Sequence, residues 1–270
     1  MNIIICIKQV PETTEVRINP ETNTLIRDGV KSIINPFDMY AIEEGIRLKE
    51  KFGAAPGGAR AIVITMGPPQ ADAALREAVS MGVDEGILIS DRAFAGGDTW
   101  ATSYTLSKAI QKAGKEFGQI DIVLCGKQAS DGDTAQVGPG MSAWLDLPQV
   151  TYVKKIEEIK DGKAKVERMS EEGYDILVSP LPAVFTVVKE INTPRLPGLK
   201  GMMRAKSAKI TTWSAKDIGA EPENVGLKGS RTSVVKIFTP PVRAGGQMLT
   251  GEVPEVAEKL AGLLKEVVNG

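Results

Sequence analysis

Asp121-Ile-Val-Leu-Cys-Gly-Lys-Gln-Ala-Ser-Asp-Gly-Asp-Thr-Ala-Gln-Val-Gly-Pro-Gly140 carries a short apolar run into a glycine-rich loop. The apolar part, Ile122 to Cys125, is too short for a helix and apolar on both faces, the pattern of a strand buried on two sides in a parallel sheet. Three further runs repeat it: Ile3-Ile-Ile-Cys-Ile7, Ala61-Ile-Val-Ile64 and Gly86-Ile-Leu-Ile89. Helical patterns stand between them. Asn35-Pro36 reads as an N-cap followed by proline at the first helical position, with Ala41, Ile42, Gly45, Ile46 and Lys49 on one face behind it. Residues 69–81 and 99–117 repeat the theme, with Ala71, Ala74, Leu75, Ala78 and Val79 on one stripe. Strands alternating with helices specify an α/β fold on a doubly wound, mostly parallel sheet.

The second half changes character. Residues 150–158, 163–169, 174–179 and 183–188 read as shorter strands close together, which predicts a small antiparallel or mixed extension of the sheet. Gly198 to Lys206 reads as a short helix in a basic loop, and the proline- and glycine-rich stretch 239–246 as a linker. Beyond it Val253, Val256, Ala257, Leu260, Leu263, Leu264 and Val267 form an apolar helical stripe. The expected division is an α/β nucleotide-binding domain over 1–244 and a C-terminal helical arm over 245–270. The stripe is compatible with folding back on its own domain or docking on a partner, and the sequence slightly favours folding back. There is no internal repeat and no low-complexity tract.

Composition mainly excludes. The 270 residues contain no histidine, so no Ser-His-Asp or Cys-His nucleophile system and no His-ligated metal or haem site is available. Acid–base work would fall to Asp, Glu, Lys or Tyr. The 33 Lys and Arg against 34 Asp and Glu leave a net charge of −1, without the basic stripe or aromatic platform of a nucleic-acid binder. Cys6 and Cys125 sit inside apolar runs without Cys-x-x-Cys spacing and read as buried small apolar residues in a reducing compartment. No metal site is expected. No run approaches a membrane span and no targeting leader is visible, so the expectation is a cytoplasmic protein without membrane insertion.

In an open parallel sheet, ligands bind beyond the carboxyl ends of the strands where strand order reverses. That singles out Cys6–Gln9, Met66-Gly-Pro68 and, above all, the loop from Gly126. Four glycines within the 15 residues Gly126–Gly140 allow close backbone approach. Asp133 and Gln136 have capping-box spacing, which predicts a helix starting near Thr134 with free amides suited to a pyrophosphate. Asp131 and Asp133 would repel such a phosphate. They are assigned to capping, loop bracing or ribose hydroxyls, and the anion to backbone N–H groups with the Ser130 and Thr134 hydroxyls. An ordinary strand-to-helix turn explains the same glycines, and no Walker or Gly-x-Gly-x-x-Gly context is present. Asn35-Pro-Phe-Asp38 is a second candidate, equally readable as a helix cap alone.

At these residues the chain resembles the β subunit of electron-transferring flavoproteins, over nearly its whole length. Ile5-Cys-Ile-Lys-Gln-Val-Pro-Glu12 is similar to that family's first strand, and Asp28-Gly-Val30, Asn35-Pro-Phe-Asp38 and Glu43-Glu44 to its second block. Met66-Gly-Pro68, Met81-Gly-Val-Asp84 and Gly126-Lys-Gln-Ala129 follow in the expected order, and Val166 to Val184 resembles the family signature. Asp175 stands where Glu or Gln is usual, and Phe185 where an aliphatic residue is usual.

The resemblance implies a heterodimer with an α subunit carrying FAD, and a nucleotide on the β subunit. By position the nucleotide contacts would be Cys6, Asn35, Pro36, Phe37, Asp38, Met66, Gly126, Lys127, Gln128, Ala129, Ser130, Asp131, Gly132, Asp133, Thr134, Ala135, Gln136 and Val137. Leu199 matches the leucine that docks dehydrogenase partners, against the plainer reading of a loop residue packed under its own helix. The resemblance also carries the terminal helix onto the α subunit, reversing the fold-back preference. Conventional members hold a structural AMP in the β site. Electron-bifurcating members hold a second FAD that accepts hydride from NADH and divides the electrons between the α-subunit FAD with acyl-CoA dehydrogenase and a ferredoxin or flavodoxin. Asp131-Gly-Asp-Thr-Ala-Gln-Val-Gly-Pro139 resembles the bifurcating kind; Asp38, Pro11 and the 195–203 stretch lean the same way. The flavin then does the redox chemistry and no catalytic side chain is expected. A nucleotide-sensing module and an ATP-cleaving ligase of similar fold are the rivals; for the latter, Val10 to Glu15 is a poor phosphate loop.

Overall fold

The computed structural model describes residues 1–12, 17–18, 25–26, 31–54, 57–235, 245–246 and 248–269. Asp28-Gly-Val30 and most of the expected 239–246 linker lie outside the described residues. The chain divides into two units, Met1–Val235 and Lys236–Gly270.

In the first unit, nine strands form one sheet. They are β1 (Asn2–Ile7), β2 (Arg60–Met66), β3 (Glu85–Ile89), β4 (Ile122–Gly126), β5 (Gln149–Lys160), β6 (Lys163–Met169), β7 (Tyr174–Pro180), β8 (Ala183–Val187) and β9 (Ile210–Trp213). The order across the sheet is β7-β6-β5-β8-β4-β1-β2-β3-β9. All pairings from β5 to β9 are parallel, and β6 runs antiparallel between β5 and β7. The predicted extension is therefore real for β5–β7. Ala183–Val187, read from sequence as part of it, instead enters the parallel body beside β4. Its five residues are all buried, as a strand covered on both faces requires.

Helices α1 (Pro36–Phe52), α2 (Asp72–Met81), α3 (Thr99–Phe117), α4 (Val137–Leu145) and α5 (Leu199–Ser207) cover the sheet. The run Ile3–Ile7 shows why two layers are needed. Ile3, Ile5 and Ile7 pack in one core with Ala41, Ile42 and Ile46 of α1 and Leu75 and Ala78 of α2. Ile4 and Cys6 face the other core, with Tyr104, Ala109 and Ile110 of α3 and Met141 of α4. Each large side chain so buried stabilises the fold by about 1.5–3 kcal/mol, which locks register on both faces.

The predicted short helix is α5. It is tied to α2 by Arg76, whose guanidinium donates to the Ala205 and Ala208 carbonyls at 2.8 and 3.0 Å. In the second unit α6 (Val253–Asn269) bears the predicted stripe, with Leu260, Leu263, Leu264 and Val267 exposed. No helix among the described residues is long and apolar enough to cross a membrane.

Candidate functional site

The strand order places the site. From β1 the chain moves outward through β2 and β3, then returns to the other flank of β1 with β4. The carboxyl ends of β1 and β4 therefore border the crevice where the winding reverses. A cavity of about 360 Å³ opens there. Its walls include Cys6, Asn35, Asp38, Met66, Gly126, Lys127, Gln128, Ala129, Gly132, Thr134, Ala135, Gln136 and Val137, so most of the residues singled out from sequence converge on one space. Pro36, Phe37, Ser130, Asp131 and Asp133 are not part of its lining.

Helix α1 starts at this crevice. Asn35 occupies its N-cap position, but its side chain makes no cap bond. The amide instead braces the glycine-rich loop: Nδ2 donates to the Gln128 carbonyl at 2.8 Å, and Oδ1 accepts from the Ser130 N–H at 3.0 Å. Asp38, one turn on, is almost fully buried and ties the two strand ends together. It accepts from the Lys8 N–H at 2.7 Å and from the Gly126 N–H at 3.0 Å. Burial pushes its carboxyl up to about 7, against the opposing pull of those N–H donors and of Asn35. The packing is close enough to dictate glycine at the end of β4. A Cβ on Gly126 would lie 2.5 Å from Asp38 Oδ1 and 2.6 Å from Phe37 Cβ.

The loop itself corrects the expected helix start. Asp133 and Ala135 both have left-handed backbone, at φ 52° and 54°, so the chain turns through the segment where a helix was expected. Helix α4 begins at Val137, three residues later, with no side-chain cap. Asp133 does not cap it; it accepts a hydrogen bond from Gln128 Nε2. Asp131 pairs with Lys8, Nζ to Oδ1 at 2.6 Å. Ser130 contributes its N–H to Asn35, and Thr134 faces the cavity. Val137 and Gly138 line the cavity and have no side-chain cap on their N–H groups, an arrangement suited to an anion; Pro139 has no N–H, and Gly140 donates to the Gln136 carbonyl at 2.9 Å.

A second helix start, missed in the sequence reading, borders the same cavity. Gly97, Asp98, Thr99 and Thr102 line it, at the entry to α3. Asp98 caps that helix, Oδ1 accepting from the Trp100 and Ala101 N–H groups at 3.0 Å. Its Oδ2 accepts from the N–H groups of Arg231 and Thr232 at 2.7 and 2.9 Å and from the Thr232 hydroxyl at 3.0 Å. Burial raises its carboxyl, but the donors of Ala101, Thr232 and Arg231 together hold it below the ordinary range. The signal in sequence was Gly96-Gly97-Asp98 after the third apolar run, a loop and cap. The two helices are held side by side by Trp144 of α4, whose ring centroid lies 4.9 Å from Trp100 and 5.0 Å from Tyr104 of α3. Thr99 Oγ1 further links α3 to Gln136 Oε1 at 2.8 Å.

Cys6 and Cys125 are direct register partners in β1 and β4, both buried and unpaired. Burial, and next the Asp38 charge, pushes the Cys6 thiol up; burial and the neighbouring Cys6 do the same for Cys125. They are floor residues, not nucleophiles.

Phe37 belongs to a second, wider cavity of about 720 Å³, which it lines with Lys127, Tyr152, Arg168 and Lys189, among others. Lys127, common to both cavities, holds its ammonium 4.9 Å from the Phe37 ring centroid and 5.7 Å from that of Tyr152. Tyr152 sits at a bulge in β5 with φ 58° and donates its N–H to Thr186 Oγ1.

Leu199 opens α5 and is 71% exposed, next to Leu196 at 90%, so it does not pack under its own helix. Arg195 fixes the approach to this apolar segment. Its guanidinium donates to both carboxylate oxygens of Glu43, at 2.8 and 3.1 Å, and to both of Glu50, at 2.5 and 3.0 Å. Sequence reading had no means of pairing residues so far apart.

Comparison with known proteins places this architecture. The family model described as electron transfer flavoprotein domain matches residues 22–218. Electron transfer flavoprotein subunit beta of Thermoanaerobacterium thermosaccharolyticum is 52% identical over 263 residues, covering 96% of both chains. Caffeyl-CoA reductase-Etf complex subunit CarD of Acetobacterium woodii is 49% identical over 267 residues, covering 98% of both. Protein FixA of Bradyrhizobium diazoefficiens is 43% identical over 263 residues, covering 96% of this chain and 90% of its own. The chain belongs to the electron transfer flavoprotein family, among its β subunits.

Proposed function

We propose that this chain is the β subunit of a heterodimeric, electron-bifurcating flavoprotein and that its crevice binds FAD. The observation that carries the nucleotide reading is the uncapped start of α4, Val137 and Gly138, opening into the cavity at the reversal of strand order. The donor set fits a pyrophosphate: backbone amides at a helix start, beside a loop braced by Asn35 and a glycine strand end with no room for a side chain. Support for a dinucleotide over AMP comes from the second cavity, which meets the first at Lys127 and adds room next to two aromatic rings. Further support comes from the 49% identity to a subunit named for an Etf complex with caffeyl-CoA reductase.

Bound there, FAD supplies hydride acceptance from NADH and the division of the electron pair between the α-subunit FAD with acyl-CoA dehydrogenase and a ferredoxin or flavodoxin. The chain's own residues do the rest. Amides of the Gly126 loop and of α4 hold the phosphates. Asn35 and Asp38 fix that loop and the strand ends against it, while Cys6, Met66 and Met141 present apolar walls that exclude water. Leu196 and Leu199 offer an apolar surface to a dehydrogenase, and α6 offers its stripe to the α subunit. No side chain is required as nucleophile or metal ligand.

The test is a cofactor count. The purified heterodimer is denatured and its released nucleotides are separated. Two FAD and no AMP per heterodimer is the expected result. One FAD and one AMP replaces bifurcation with the conventional role, in which the β site holds a structural AMP. A colourless complex without NADH-dependent reduction favours a nucleotide sensor and sinks both.

A further inference from the structure

The acids around the first cavity are engaged in two different ways. Asp38 and Asp98 accept mainly from backbone N–H groups, which stay with the fold. Asp131 is held by a side chain, Lys8 Nζ at 2.6 Å, and both side chains of that pair are partly exposed, 49% and 32%. Lys8 is the first residue past the end of β1 and lines the cavity. Its backbone is pinned by Asp38, so the ammonium swings from a fixed base. The other lysine of the lining, Lys127, has its ammonium at the Phe37 and Tyr152 rings of the second cavity. Among the described residues of the lining, Lys8 is therefore the cation parked on an acid of the glycine-rich loop itself.

We propose that Lys8 is a phosphate-binding residue of this site, stored on Asp131 until a nucleotide phosphate displaces that carboxylate. The inference rests on the nucleotide reading above. An ion pair this exposed contributes little to stability, so giving it up costs little. The phosphomonoester of AMP and the pyrophosphate of FAD each carry more charge and more acceptor oxygens than one carboxylate, and the amides at the start of α4 bind them at the same time. The exchange leaves Asp131 without its partner once the phosphate is bound, so this acid opposes the anion that Lys8 attracts. The arrangement makes the site discriminate nucleotides from nucleosides by the Lys8 charge.

The test is calorimetric titration of AMP, FAD and adenosine into the nucleotide-free full-length chain. Lys8→Met keeps the backbone N–H and the aliphatic stem; it should weaken AMP at least tenfold and adenosine less than twofold. Lys8→Arg should restore most of the AMP affinity. Asp131→Asn should tighten AMP several-fold with adenosine unchanged, and added salt should narrow the AMP–adenosine gap of the wild type. The proposal falls if Lys8→Met shifts AMP and adenosine equally, or if Asp131→Asn weakens both, which makes Asp131 a loop brace. A wild-type chain that binds none of the three overturns the nucleotide reading itself, and this inference with it.

Discussion

Two helices begin at the same crevice, and they treat their free amides in opposite ways. At α3 the carboxylate of Asp98 takes the first-turn N–H groups and those of Arg231 and Thr232 as well. Asp38 does the same for the ends of β1 and β4. At α4 no side chain answers. Because Pro139 has no N–H and Gly140 donates to the Gln136 carbonyl, the donors left at this start are those of Val137 and Gly138, and a fold that closes one start so fully can close the other. On the function proposed above, the uncapped amides of α4 are the ligand side, and the carboxylate-closed donors are the frame that holds it.

The largest effect expected on the closed side is a pH dependence. The Asp38 carboxyl titrates near 7 in the fold, chiefly through burial, against an ordinary value of 3.8. Between those values the folded chain keeps a proton that the unfolded chain has lost. Stability contributed by this group is thus full below about pH 4 and declines as pH rises to about 7, with a limiting slope of about 1.4 kcal/mol per pH unit. Denaturant melts of wild type and Asp38→Asn across pH 4–8 should differ by that slope, the variant being flatter. Parallel profiles would mean that Asp38 is not a buried titrating clamp.

Asp98→Ala comes next. Losing a cap costs about 1–2 kcal/mol, and the Arg231 and Thr232 bonds add to it, so a loss of about 2–3 kcal/mol is expected. That corresponds to a fall in Tm of roughly 5–10 °C, measurable by calorimetry. Nucleotide affinity should change less than threefold in the molecules that remain folded. A large affinity loss at unchanged Tm would move α3 to the ligand side and break the contrast.

These two acids also show what a sequence can and cannot disclose. The alternation of short β-branched runs with apolar helical stripes carries the doubly wound sheet, because burial on two faces leaves a periodicity that local reading detects. The Gly126 loop was legible because it follows a strand of that sheet. Asn35 was read as a cap, yet its partner at Gln128 is 93 residues away, and separation of that kind has no local signature. The start of α4 was placed three residues early because Asp133 and Ala135, neither of them glycine, take left-handed backbone that their residue types do not announce. Asp98 carried no sign of a place beside the Gly126 loop. The packing of α3 on the sheet and against α4 through Trp144 brings it to the cavity.

The open side can be closed deliberately. Gln136→Asp places a carboxylate at the start of α4, where it competes with a phosphate for the amides and repels it. AMP or FAD affinity should fall at least tenfold by titration, while stability moves by no more than about 1 kcal/mol. If affinity holds, the amides of α4 are not the anion site.

The smallest effect separates the two sides most finely. Thr99 on α3 donates its hydroxyl to Gln136 at the start of α4, a direct side-chain bridge between the closed and the open helix. Thr99→Val keeps the branched shape and removes the donor. The bridge is exposed, so its loss should cost about 0.5–1 kcal/mol of stability. If the bridge only aligns the two helices, nucleotide affinity should fall less than threefold, with adenosine and AMP affected alike. A tenfold loss confined to AMP would mean that the hydroxyl turns to the phosphate when ligand binds. The α3 side would then share in anion binding, and the boundary between frame and ligand side would run through Thr99 instead of between the helices.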